Sequence, residues 1–346
     1  MFRRILIILL VLAALLSAAR LALHRGDIPY SQLEERYSTV SSRFLTLPDG
    51  LIVHYRDEGE TDAPALVMIH GFASSSETWT AWQADLASDY RVISLDLPGH
   101  GLTRVNSETN LEIGGLADFI SACIEELGLT DYTLVGSSLG GHAAWVHALD
   151  QPAGLNGLVL IASAGLPPGP GEDKDTPWAL ELVSHGWIKP MLAGGDPRLL
   201  VRNGLRSAYS DRGFVSDDLI TQYTEFARAP GHREALIDIA SRPRDSAEAD
   251  QARLSELTLP VLIMQGDQDQ IVPPEHAEQF HALIPNSELI IYEGIGHLPQ
   301  EEKAMESLSD LRRFLISVQP PSSDVKPGIE PELPQDISVE PAEAVD

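Results

Sequence analysis

The run "LVGSSLGG", Leu134–Gly141, sets two serines side by side among glycines. It follows the strand-like "DYTLV" and leads into the helix-like "LGGHAAWVHAL". Gly136-x-Ser138-x-Gly140 therefore matches the G-x-S-x-G turn that lifts a nucleophile between a strand and a helix. Strand and helix approach closely at such a turn, so the residues two before and two after the nucleophile must be small. Ser138 has glycine at both places, whereas Ser137 would have Val135 and Leu139. Ser138 is the candidate nucleophile and Ser137 its variable neighbour. The N-terminus of the following helix favours negative charge that develops nearby.

A serine nucleophile needs a base, and the base needs an acid to orient it. After a turn of this kind the chain order is serine, acid, histidine. Eleven histidines are present. His297, in "YEGIGHLPQEE", combines a Gly-flanked loop with a position after the last strand-like run. His276 and His281 fall in a helical pattern and read as surface residues, while His142 and His147 read as packing or capping residues. The acid comes from "MQGDQDQIVPP", which offers Asp267 and Asp269. Asp267 directly follows the strand end and reads as a turn cap. Asp269 lies further out on the loop and is the favoured acid, with Asp267 as the alternative.

An oxyanion needs backbone N–H donors. Leu139, the residue after the nucleophile, supplies one, and the loop after an earlier strand supplies the other. "MIHGFASSSETW" is placed for that role, with Phe72 as the candidate donor and Gly71 allowing the chain to turn inward. His70 reads as a residue that holds this loop.

Around these motifs, strand and helix patterns alternate. "SRFLTLPDGLIVHYRDEG" predicts a hairpin turning at Pro48-Asp49-Gly50. "PALVMIHG", "YRVISLDL", "YTLVGS", "LNGLVLIAS", "LPVLIMQG" and "SELIIYEG" are short, continuous apolar runs. Continuous apolarity predicts strands covered on both faces, and the alternation predicts an α/β fold with a mostly parallel central sheet flanked by helices. Helical patterns span residues 78–87, 110–127, 139–149, 276–283 and 300–318. After a Pro/Gly-rich break the alternation stops, and residues 166–257 predict a helical cap inserted into a core of residues 40–165 and 258–318. Insertions at the carboxyl edge of a parallel sheet sit where ligands bind.

The ends differ from the core. "MFRRILIILLVLAALLSAARLALHR" pairs Arg3 and Arg4 with an apolar run, so residues 1–25 predict a membrane anchor or signal segment. The slight excess of positive charge at the N-terminus favours a globular part on the non-cytoplasmic side, or secretion if the segment is cleaved. Residues 319–346 hold six prolines, seven acids and one lysine, and predict a disordered acidic tail. The formal net charge of −27 disfavours a nucleic-acid partner. Cys123 is the sole cysteine; it cannot form an internal disulfide and reads as a small core residue.

The chain resembles the α/β-hydrolase superfamily through "HGF" (70–72), "DLPGHG" (96–101), "GSSLGG" (136–141), "GDQDQIVP" (266–273) and "GIGHLP" (294–299). The acid of a G-x-x-D-x-x-V-P arrangement is the triad acid in that superfamily, which supports Asp269; Asp96 and His100 look structural. A serine at the elbow sets the chain apart from the dehalogenase and epoxide-hydrolase branches. The expected activity is cleavage of a small-molecule or lipid-like carboxylic ester through an acyl-serine, with no metal or cofactor. The alternatives are C–C hydrolysis of a meta-cleavage product by the same triad, or a non-catalytic, membrane-tethered binding protein. For C–C hydrolysis, Arg202, Arg206 and Arg228 are candidates to hold a substrate carboxylate.

Overall fold

The continuous apolar runs form the strands of one sheet in the computed structural model, which describes residues 24–167, 194–242 and 250–318. The strands are β1 (Ser42–Thr46), β2 (Ile52–Glu58), β3 (Ala65–Ile69), β4 (Arg91–Leu95), β5 (Tyr132–Ser137), β6 (Leu155–Ile161), β7 (Val261–Gly266) and β8 (Ser287–Tyr292). Their order is β1-β2-β4-β3-β5-β6-β7-β8. The first two pairings, β1–β2 and β2–β4, are antiparallel, and every other pairing is parallel.

Side-chain alternation along β3 shows why its run has no polar face. Ala65, Val67 and Ile69 enter one hydrophobic cluster, while Leu66 and Met68 enter another on the opposite side. Helices cover both faces. α3 (Ile113–Glu126) and α4 (Leu139–Leu149) pack in the first cluster through Phe119, Ile120, Cys123 and Trp145. α8 (Pro274–Leu283) joins them through Phe280. α2 (Thr80–Leu86) and α10 (Ala304–Val318) cover the second face through Trp82, Leu311 and Phe314. Cys123 is a free, buried core residue.

The chain passes from β3 to β4 on one side and then to β5 on the other. That reversal places the loops after β3 and β5 next to each other at the carboxyl edge of the sheet, the place where such sheets bind ligands. The loops after β7 and β8 open at the same edge, because all these strands run parallel.

Between β6 and β7 the described residues form helices and no strand. These are α5 (Arg198–Ala208), α6 (Asp217–Phe226) and α7 (His232–Ala240). Leu205, Ala208, Tyr209 and Ile220 form a small core of their own with Leu298 from the loop after β8. Residues 168–193 and 243–249 of the inserted region lie outside the described residues, as do residues 1–23 and 319–346. The expected N-terminal segment and the expected tail therefore fall almost wholly there. Among the described residues no helix is long and apolar enough to cross a membrane.

Three expectations need correction. A helix, α1 (Tyr30–Tyr37), precedes the first strand. Only Leu33 of its eight residues is buried, so it has no apolar stripe to read. The pattern at 300–318 is two helices, α9 (Pro299–Glu302) and α10, separated at Lys303, where the backbone turns to φ −126°, ψ 43°. His276 is 8 % exposed and not a surface residue, because it faces inward from the first turn of α8; His281 is exposed.

Candidate active site

Ser138 directly follows β5 and precedes the first residue of α4, with φ +52° and ψ −115°. This is a strained conformation for a non-glycine residue, and the packing around it enforces it. A Cβ on Gly136 would sit 2.5 Å from the Gly140 carbonyl oxygen, and one on Gly140 would overlap the Ile69 and His70 carbonyls. The Ser138 N–H donates to the Ile161 carbonyl at 2.9 Å, and its own carbonyl accepts from His142 and Ala164. Leu139 opens α4, so its N–H is one of the unpaired donors of a helix N-terminus.

The loop after β3 abuts the serine. A Cβ on Gly71 would lie 3.0 Å from the Ser138 Cβ, so any larger residue there would crowd the serine. His70 holds this loop. The Leu97 N–H donates to its Nε2 at 3.0 Å, which leaves Nδ1–H to donate to the Gly71 carbonyl at 2.7 Å. Burial holds the His70 pKa below the ordinary histidine value, in keeping with that neutral ring. Phe72 follows and is 41 % exposed, with its ring edge-on to His100 at 6.1 Å.

Asp269 and His297 meet directly. His297 Nδ1 donates to Asp269 Oδ2 at 2.7 Å, which leaves Nε2 as an acceptor. The carboxylate is fully supplied: Ile271 and Val272 N–H groups donate to Oδ1 at 2.8 and 3.0 Å, and Gln265 Nε2 donates to Oδ2 at 2.9 Å. Burial alone would raise the Asp269 pKa, but His297 and the two N–H donors outweigh it and hold the carboxyl below its usual value. Asp267 is engaged elsewhere, accepting the Gly294 N–H at 2.7 Å. That bond pins the β7 loop to the β8 loop.

Other polar residues of the motifs are structural. Asp96 accepts His54 Nδ1 at 2.7 Å, the Ser76 N–H at 2.6 Å and the Leu102 N–H at 2.9 Å. His147 bonds Ser121 and Tyr132, and His142 stacks on Trp145 at 4.9 Å between ring centroids. The three arginines considered for a substrate carboxylate have other engagements or face solvent. Arg202 lies 4.0 Å from Asp217, Arg228 donates to the Gly26 carbonyl, and Arg206 is exposed.

Sequence reading missed the contacts between the inserted helices and these loops. Tyr223 of α6 bonds Ser74 at 3.1 Å, and the His297 N–H donates to the Ala208 carbonyl at 2.7 Å. Their partners lie far apart along the chain, and no local pattern signals them.

Buried neutral histidines make the fold acid-sensitive. Burial pushes His100 down to about 3 and His147 down to about 4. Both are neutral in the folded chain below pH 6.5, where the unfolded chain takes up protons, so stability falls as pH drops from about 6.5 toward 4. At about 1.4 kcal/mol per pKa unit, His147 alone accounts for a loss on the order of 3 kcal/mol. The urea midpoint is expected to drop steeply between pH 7 and pH 4.5; a flat midpoint would refute the neutral-ring assignment.

Comparisons with known proteins bear on the fold. A family model described as alpha/beta hydrolase fold matches residues 64–304. The chain is 29% identical over 295 residues to a dihydrolipoyllysine-residue acetyltransferase component of an acetoin cleaving system from Cupriavidus necator, covering 84% of this chain and 73% of that one. It is 27% identical over 276 residues to a 2-hydroxy-6-oxononadienedioate/2-hydroxy-6-oxononatrienedioate hydrolase from Cupriavidus pinatubonensis, covering 76% of this chain and 91% of that one. Among solved structures, an esterase from Rhodococcus sp. ECU1013 is similar at a TM-score of 0.64 and 25% identity, over 81% of this chain and 100% of that one.

Proposed function

The chain belongs to the α/β hydrolase fold family, and from that premise we propose that it is a serine hydrolase of carboxylic esters. The observation that carries this reading is the Asp269–His297 hydrogen bond, at the same sheet edge as a serine held at φ +52°. Ser138 Oγ attacks the ester carbonyl while His297 Nε2 takes its proton. Asp269 holds the imidazole tautomer and stabilises the imidazolium. The N–H groups of Phe72 and Leu139 receive the oxyanion. His297 then protonates the leaving alcohol; in the second half His297 deprotonates the attacking water and returns that proton to Ser138 Oγ as the acid leaves.

A second reading, hydrolysis of a C–C bond by the same residues, is favoured by the similarity to the Cupriavidus pinatubonensis hydrolase. The engagements of Arg202 and Arg228 weigh against it. A p-nitrophenyl ester series from acetate to palmitate, run beside a 2-hydroxy-6-oxo-dienoate, separates the two. Turnover is expected on esters, with the preferred chain length sizing the acyl site. Cleavage of the dienoate alone would replace the ester reading by the second, and inertness on both would leave a binding role.

The apolar segment ahead of residue 24 supports a tethered enzyme whose globular part faces away from the cytoplasm and meets lipid-like esters. The inserted helices hold the chain where it leaves that segment. The Arg25 N–H donates to the Gly194 carbonyl, and Arg233 pairs with Asp27. Recovery of the full chain wholly in the soluble fraction would exclude the tether.

A further inference from the structure

Glu302 lies on α9, five residues past His297. Its Oε1 accepts the N–H of Gly296, the residue just before the histidine, at 2.9 Å. Its Oε2 accepts the Ser210 N–H at 2.9 Å and the Asp211 N–H at 3.0 Å. The Ser210 hydroxyl stands 2.7 Å from that oxygen and 2.7 Å from the Gly294 carbonyl, so its proton serves one or the other. Every partner of Glu302 is therefore a donor, and the set nearly fills the roughly four acceptor positions of a carboxylate.

Two elements distant in the chain meet at this carboxylate. One is the loop Gly294–His297 after β8, and the other is the turn Ala208–Asp211 that closes α5. They fit without slack, since a Cβ on Gly296 would lie 2.5 Å from the Ala208 carbonyl oxygen and 2.8 Å from the Ser210 nitrogen. The His297 N–H itself is spent on the Ala208 carbonyl at 2.7 Å. The backbone of the histidine is thus held from the insertion, while its ring is held from the sheet by Asp269.

We propose that Glu302 is the positioning residue of His297, clamping the histidine's loop to the end of α5 through a carboxylate that accepts from both. The acid–base side of the site is therefore set by how the inserted helices seat on the core. This rests on the reading of His297 as the general base. Charge and acceptor geometry, not bulk, do the clamping. A glutamine of the same shape would turn an amide N–H₂ toward backbone N–H donors.

The test uses the full chain carrying Glu302→Gln, with three readouts: the phosphonylation rate of Ser138 by a fluorophosphonate, the low-field proton resonance of His297 Nδ1–H, and near-UV circular dichroism. A displacement of about 1 Å at a catalytic group costs about 100-fold. Phosphonylation is expected to slow by about that factor, with the resonance lost or shifted and the dichroism unchanged. A rate within about twofold of the parent and an unmoved resonance would overturn the proposal. If Glu302→Gln does not fold, Ser210→Ala decides. It removes the hydroxyl that links the α5 turn either to the carboxylate or to Gly294 of the histidine's loop; the same pair of unchanged readouts overturns the proposal, whereas a slowed rate with a shifted resonance upholds it. A parent protein that is never phosphonylated would refute the serine-hydrolase reading, and the His297 resonance would still judge the clamp.

Discussion

Ser138→Ala is expected to lower turnover of any ester the protein cleaves by on the order of 10⁵–10⁶-fold, leaving substrate affinity within about threefold. The expectation follows from what the side chain does and does not support. Its backbone carries the structural bonds: the N–H to Ile161 and the carbonyl to His142 and Ala164. None of these needs the hydroxyl, so the fold and the glycine contacts at 136, 140 and 141 survive the change. What is lost is the atom that forms the acyl bond. Residual rate would come from the remaining donors and from binding. The strain at φ +52° is kept, because alanine, unlike glycine, gains nothing in that region. The measurement is single-turnover kinetics on the best ester of the chain-length series, with intact mass to detect the acyl-enzyme. Ester turnover that persists at parental rate would remove Ser138 from the mechanism, and the acyl-serine reading with it.

Such a reading was possible because the strongest signals in this sequence are local. Six of the eight strands, β3 to β8, announce themselves as continuous apolar runs, and β3 to β7 are buried on both faces along most of their length. The β1–β2 hairpin is legible at Pro48-Asp49-Gly50, where Gly50 adopts φ +85° and Asp49 accepts the Leu51 N–H. The elbow is legible for a steric reason, as Gly136 and Gly140 are glycines because nothing larger fits. The strand order is not local. That β3 lies between β4 and β5 follows from how the crossovers wind, and only the folded chain displays it. The α1 helix was invisible because it is stabilised by contacts with α6 and α7, 200 residues on, such as Tyr30 with His232. Glu302 was visible only as one of two acids near a helix N-terminus, a pattern that ordinarily reports the helix dipole. Its N–H donors come from the β8 loop and the α5 turn, and no periodicity joins those. The functional chemistry could thus be read from motifs, while the coupling between insertion and core had to be seen.

Asp269→Asn is expected to lower kcat by about 10⁴-fold, whereas Asp267→Asn changes it by less than about tenfold. The two aspartates are two residues apart, and their partners separate them. Asp269 Oδ1 is committed to the Ile271 and Val272 N–H groups, so an asparagine there must keep its oxygen on that side. Its amide nitrogen would then face both His297 Nδ1 and Gln265 Nε2. To avoid opposing donors, His297 has to move its proton to Nε2, the atom that must accept from Ser138. The base is lost although no atom has been displaced. Among the described residues Asp267 meets a single donor, the Gly294 N–H, which an asparagine oxygen accepts as well. The loss there is one charge-assisted bond at a loop junction, of about 1 kcal/mol in stability. Steady-state kinetics of the two variants side by side, with urea midpoints for both, give the comparison. Equal losses in kcat would mean that the β7 loop acts as a unit and that Asp269 is not singled out as the orienting acid. A larger loss at Asp267 would transfer that role to it, against the hydrogen bonding seen here.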